Sequence, residues 1–190
     1  MAEQVLEELV QNLAESLKII DGNVPENKRY GAGIGPHDEP TVIRLLAKQL
    51  RLGGLDVLTE CPYNDDSQER LDILIKTEVS IAIEFKVIRL RANGSVEPAI
   101  FKHILSPFPN DRSAVHDANK VTRFDADHNV VGLIVFHYDT WDSNLLVDSF
   151  RHIVRGSSEV DEYRASFSGL VHKFHQRGEI VLFRIGPNVG

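Results

Sequence analysis

The stretch SIAIEFKVIRL, Ser80 to Leu90, decides how this chain is read. Val79, Ile81, Ile83, Phe85 and Val87 form one apolar face at a period of two, the mark of a buried strand. The opposite face reads Ser80, Ala82, Glu84, Lys86, Ile88. A carboxylate and an ammonium side by side on a central strand must be paired or do chemistry, because burying a lone charge is costly. The i, i+2 spacing aims both side chains the same way, and the two small residues before them leave room.

Two neighbouring segments add carboxylates. RLDILIK, Arg70 to Lys76, is a short strand close enough to be the hairpin partner. With Thr77 to Val79 as the turn, Lys76 opposes Ser80 and Asp72 opposes Glu84, and opposed residues of an antiparallel pair share a face. Upstream, a helix opens near Pro36 or Pro40 and closes at Gly53–Gly54. On it Glu39 shares the stripe of Val42, Ile43 and Leu46, so the spacing turns a glutamate towards the sheet.

Clustered carboxylates repel unless a cation joins them. Hard oxygen ligands in low number, with water completing the shell, suit magnesium or manganese. A lysine beside such an ion can orient a water or stabilise charge developing on a phosphate.

The flanking segments set the fold class. A helical stripe runs over residues 3–20 (Val5, Leu6, Leu9, Leu13, Leu17, Ile20). LDVLTECP is a strand before the hairpin, and a polar, proline-containing loop follows it, leading to the helix SAVHDANKVTRF. NVVGLIVFHYD is a fourth strand, NLLVDSFRHIVR and DEYRASFSGLVHKFHQR read as a helical pair, and EIVLFRIG closes the chain as a strand. This order predicts one domain over residues 1–190, α/β in class, with a mixed sheet flanked by helices. His172 and His175 fall on the last predicted helix and form no H-x-H or H-E-x-x-H array, so a zinc hydrolase is not indicated.

With these residues in place, the chain resembles the PD-(D/E)xK, or restriction-endonuclease-like, nuclease superfamily. Members share a helix–strand–strand–strand–helix–strand core with an aspartate in the second strand and E-x-K in the third. The resemblance covers residues 36–138, with Asp72 as the aspartate, Glu84 and Lys86 as the E-x-K pair and Glu39 as the helical glutamate. Leu71 stands where the motif's proline would be. The resemblance implies a restriction-endonuclease-like αβββαβ core, carrying an extra N-terminal helix and the C-terminal helical pair with a last strand. It implies a metal-dependent endonuclease hydrolysing phosphodiester bonds, in DNA rather than RNA, of restriction or repair type. Asp72, Glu84 and the backbone carbonyl of Phe85 would hold Mg2+ or Mn2+, Glu39 would assist them, and Lys86 would position the attacking water. Lys120 and Arg123, on the helix after the E-x-K strand, and Arg112 just before it, would contact nucleic acid. A nuclease-fold module that binds without cutting, such as a subunit of a larger defence or repair complex, and a plain surface salt bridge stay open as alternatives.

Charge bears on partners. The chain carries −7 overall, but Glu84 to Arg123 holds seven basic and four acidic residues, +3, which leaves −10 for the rest. A basic segment on an acidic body can face phosphate, or can be solvated surface. The single cysteine, Cys61, the acidic N-terminus and the lack of any run of about 20 apolar residues point to a cytoplasmic protein with no membrane partner. The apolar stripes of residues 3–20 and 144–177 are available either for a homodimer or for packing on the sheet.

Overall fold

A computed structural model describes residues 2–26, 31–64, 67–89, 98–137, 143–156 and 158–188. Helices α1 (Ala2–Asn23) and α2 (Glu39–Leu52) come first, followed by strands β1 (Asp56–Pro62), β2 (Arg70–Lys76) and β3 (Ser80–Arg89). Helices α3 (Pro98–Leu105) and α4 (Ala114–Val121) lead to β4 (His128–His137). Then come α5 (Asn144–Arg155), β5 (Ser158–Ser168) and β6 (Arg177–Asn188).

The strands form one six-stranded mixed sheet in the order β1-β2-β3-β4-β6-β5. Only β3 and β4 run parallel. A parallel neighbour cannot be reached by a tight turn, so the chain crosses over through α3 and α4. That crossover lays α4 over the motif strand.

Helices cover both faces. Ile81, Ile83, Phe85 and Val87 of β3 enter one core with Leu6, Leu13 and Leu17 of α1 and Val42 and Leu46 of α2. Ala82 and Ile88 enter the other, with Ile104 of α3, Val115 and Ala118 of α4, and Leu146 and Phe150 of α5. The α1 and α5 stripes are therefore buried against the chain's own sheet. Phe85 packs over Gly132, its register partner on β4; a β-carbon at Gly132 would collide with the ring.

The helical pair expected at the C-terminus is not formed. Its first member is α5, but residues 161–168 of the second lie in strand β5. Tyr163, Ala165 and Phe167 alternate with Glu162, Arg164 and Ser166, which is the strand period, while Tyr163, Phe167 and Phe174 also satisfy the helical one. The adjacent edge of β6 resolves the tie by supplying a ladder from Val160↔Ile185 to Ser168↔Arg177. Gly169, at φ +79, then turns the chain out of the strand. His172 and His175 lie in the following loop, rings stacked 4.8 Å apart, rather than on a helix. The loop expected after β3 contains the short helix α3, which buries Ile104.

Candidate active site

The β2–β3 hairpin has the register that alternation predicts. Lys76 pairs with Ser80, Leu74 with Ala82 and Ile73 with Ile83, and there the ladder stops. In an antiparallel strand every second N–H points to the same edge, so the amides of Phe85 and Val87 face a gap where β2 has parted from β3 and stays paired with β1. Carboxylates fill it. Asp72 Oδ2 accepts from Phe85 N at 2.8 Å, and Glu39 Oε2 accepts from Val87 N at 2.8 Å. Acidic side chains thus replace the carbonyls of a missing strand.

Glu39 is placed by local chemistry. Asp38 caps α2, its Oδ1 accepting from Thr41 N at 3.0 Å, and Pro40 occupies a first-turn position where no amide is needed. The loop before it is held from two sides. Asp21, 3% exposed, accepts from the amides of Ile34 at 2.8 Å and Val171 at 2.6 Å. The Arg89 guanidinium donates to the carbonyls of Gly35 and His37.

Glu84 and Lys86 do not pair with each other. Lys86 Nζ lies 2.7 Å from Asp117 Oδ2 on α4, 3.3 Å from Glu39 Oε1 and 3.5 Å from the carbonyl of Phe85. Glu84 Oε1 accepts from the Tyr63 hydroxyl at 2.5 Å and lies 3.0 Å from Lys120 Nζ. Asp117 Oδ1 is 3.7 Å from the same Lys120, so the charges form an alternating chain: Glu39, Lys86, Asp117, Lys120, Glu84. His103 of α3 stands 3.7 Å from Glu39. Alternation lets so many charges be buried together, since each has an opposite neighbour.

The electrostatics follow from that crowding. Burial, and then the Asp72 charge, push the Glu84 carboxyl up to about 8. Burial likewise lifts Asp72 to about 6, against the pull of Phe85's amide and Lys86. Burial works against the Lys86 ammonium too, but Asp117 and Glu39 outweigh it and hold the lysine charged. Burial opposes the Glu39 charge, yet His103, Lys86 and the Val87 amide keep its carboxyl below the usual value. Burial and Glu84 keep the Tyr63 phenol protonated, a donor only.

The structure therefore brings together Glu39, Asp72, Glu84 and Lys86, and adds three residues that the sequence did not single out. Asp117 carried a usable signal: with Ala114 and Val121 it lies on the buried stripe of α4, the same oddity that identified Glu39. Tyr63 and His103 carried none. Lys120 turns inward to Glu84, whereas Arg123 is exposed and 2.8 Å from Glu69, and Arg112 is exposed just before α4.

For a metal, the donor chemistry is narrow. Among the described residues no three His, Cys, Asp or Glu side chains converge as a cage. What remains is the pair of Asp72 and Glu84, close enough that one charge raises the other's pKa, with the Phe85 carbonyl on the same strand. Two carboxylates and a carbonyl fit magnesium or manganese, which keep several waters, and do not fit a closed zinc site. A cleft of about 360 Å³ opens beside Glu39 and Asp72 and is lined further by Thr41, Arg44, Arg51 and Thr59.

No protein-family model, curated protein or solved structure matches this chain. No described helix is long and apolar enough to cross a membrane.

Proposed function

We propose that this protein is a magnesium-dependent nuclease of the PD-(D/E)xK type, acting on DNA. The observation that carries the reading is the end of the β2–β3 ladder, where Asp72 and Glu39 take the two unpaired amides of the strand that bears Glu84 and Lys86. The order α2, β1, β2, β3, α4, β4 supports a restriction-endonuclease-like core, with α4 following the E-x-K strand.

Phosphodiester hydrolysis joins a water oxygen to phosphorus, breaks a P–O ester bond and gathers negative charge on the phosphoryl oxygens. Asp72, Glu84 and the Phe85 carbonyl are the groups that would hold magnesium. The ion would supply charge neutralisation on the phosphate and a more acidic water. Lys86 adds a fixed positive charge at that place. Asp117 and Glu39 hold its ammonium in position and keep it protonated, so it acts as a donor to water and phosphate rather than as a base. Glu39 thereby becomes a positioning residue as much as a ligand. The cleft between Glu39, Asp72 and the exposed Arg44 offers a phosphodiester a way in.

The test is cleavage of plasmid and oligonucleotide DNA by the purified chain, with and without Mg2+, beside Glu84→Ala and Lys86→Ala. Mg2+-dependent cutting lost in both variants is the expected result. Cutting that both variants retain, or that ignores Mg2+, refutes the reading.

One observation favours a second reading, a nuclease-fold interaction module that binds without cutting. Both buried lysines are already matched with carboxylates, as in a purely structural network. DNA or protein binding with no cleavage under any divalent cation would select it.

A further inference from the structure

Four carboxylates meet two ammoniums at this site: Glu39, Asp72, Glu84 and Asp117 against Lys86 and Lys120. With all of them ionised the balance is −4 + 2 = −2, the charge that one divalent cation cancels. The two lysines are not equivalent in that balance. Lys86 is held by two carboxylates outside the pair that fits a metal, Asp117 at 2.7 Å and Glu39 at 3.3 Å. Lys120 is held by one member of that pair, 3.0 Å from Glu84 Oε1.

Lys120 is also an unusual surface lysine. Its side chain is 13% exposed, and its ammonium lies 5.4 Å from the centre of the Tyr63 ring. An ammonium gives up hydration only for strong partners, and here they are the π face of Tyr63 and the Glu84 carboxylate. Asp117, one helical turn back on α4, offers a second anion at 3.7 Å, so the flexible stem can let go of Glu84 and keep a partner.

We propose that Lys120 is a built-in stand-in for the divalent cation: its ammonium neutralises Glu84 until a metal takes that carboxylate, and it therefore sets how tightly the site holds metal. The proposal rests on the metal-dependent reading above. A divalent ion and an ammonium on one carboxylate repel each other, so metal binding displaces Lys120 from Glu84. The displaced ammonium keeps Asp117 and is then available to the phosphate that arrives with the substrate. In this way the metal-free chain stays folded without its ion, and metal and substrate binding are coupled.

The experiment titrates Mg2+ into the full chain by calorimetry at about pH 8.5, where protons compete little for buried carboxylates. It compares the unmodified protein with Lys120→Met, Lys120→Gln and the charge-keeping Lys120→Arg. Melting temperatures are taken in EDTA and in saturating Mg2+. The expected result is roughly tenfold tighter Mg2+ binding in the Met and Gln variants, with Arg close to the unmodified protein. Mg2+ should also raise the melting temperature of Lys120→Met more than that of the unmodified chain, because the metal replaces the missing charge. A plain structural salt bridge would show no such rescue. Equal or weaker Mg2+ binding in both neutral variants, beside an unmodified protein that binds, overturns the stand-in and leaves the metal-dependent reading intact. No Mg2+ binding by any of the four proteins overturns both.

Discussion

Asp161 and Arg184 face each other across β5 and β6; Lys86 and Asp117 face each other between β3 and α4. Both are close ion pairs anchored on strands of the same sheet. The first is 48% and 35% exposed at its two side chains, the second 9% and 4%. Exposed pairs trade water for each other at little net gain, whereas buried ones depend wholly on their partners. The site is thus distinguished less by its residue types than by where the fold removes water from them. The ladder's early end on one edge of β3 and the crossover helix above it create that place.

The largest expected contrast is in rate. Lys86→Ala should lower single-turnover cleavage by about 10³-fold, because its charge acts where negative charge develops. DNA affinity should fall only by the order of one phosphate contact. An unmodified cleavage rate in Lys86→Ala would reduce the β3 charges to the status of the β5–β6 pair.

Next comes stability. Asp117→Ala leaves Lys86 with only Glu39 and strips Lys120 of its second anion, and should cost about 3 kcal/mol in urea unfolding. A loss below about 1 kcal/mol would show that the buried chain is no more cohesive than a surface pair.

Third is pH. Carboxyls raised on folding bind more protons in the folded state, so stability falls as pH rises from the unfolded value to the folded one. For Asp72 the window is 3.8 to about 6, and for Glu84 it is 4.5 to about 8. In EDTA the protein should therefore be more stable at about pH 5.5 than at pH 8, by on the order of 2 kcal/mol. Glu84→Gln should remove most of that slope above about pH 6 and abolish stabilisation by Mg2+. Urea midpoints at the two pH values check it; a slope of the opposite sign would mean that the Lys120 charge outweighs burial at Glu84.

The smallest effect is expected at the exposed pair. Asp161→Ala should change stability by less than about 1 kcal/mol, and less still in high salt. A larger loss would place the β5–β6 edge, and not the α4 contact, among the sheet's critical supports.

Much of the site was legible because its placement is local. Residues 80 to 88 alternate, the turn after Lys76 is short, and the side-chain period of two leaves Asp72 only one register in which it stands beside Glu84's end of β3. Glu39 could be placed from helical spacing alone. Asp117 was legible in principle and was passed over, since a carboxylate on an apolar stripe is the same clue in both helices. Residues 161–168 fail for a different reason: their apolar residues satisfy two periods, and only pairing with β6, later in the chain, decides between them.

By itself the sequence determined an α/β chain with a charged pair on an otherwise apolar strand, and a hairpin and a helix that each bring a carboxylate to it. Those are short-range consequences of alternation, turn length and helical spacing. The tertiary structure alone decided that Lys86 belongs to Asp117 and Glu39, that Glu84 belongs to Lys120 and Tyr63, and that Glu84, Lys86 and Asp117 are out of water. Partner choice and desolvation depend on how the parallel crossover lays α4 across β3, a contact between segments about 30 residues apart that no local period encodes.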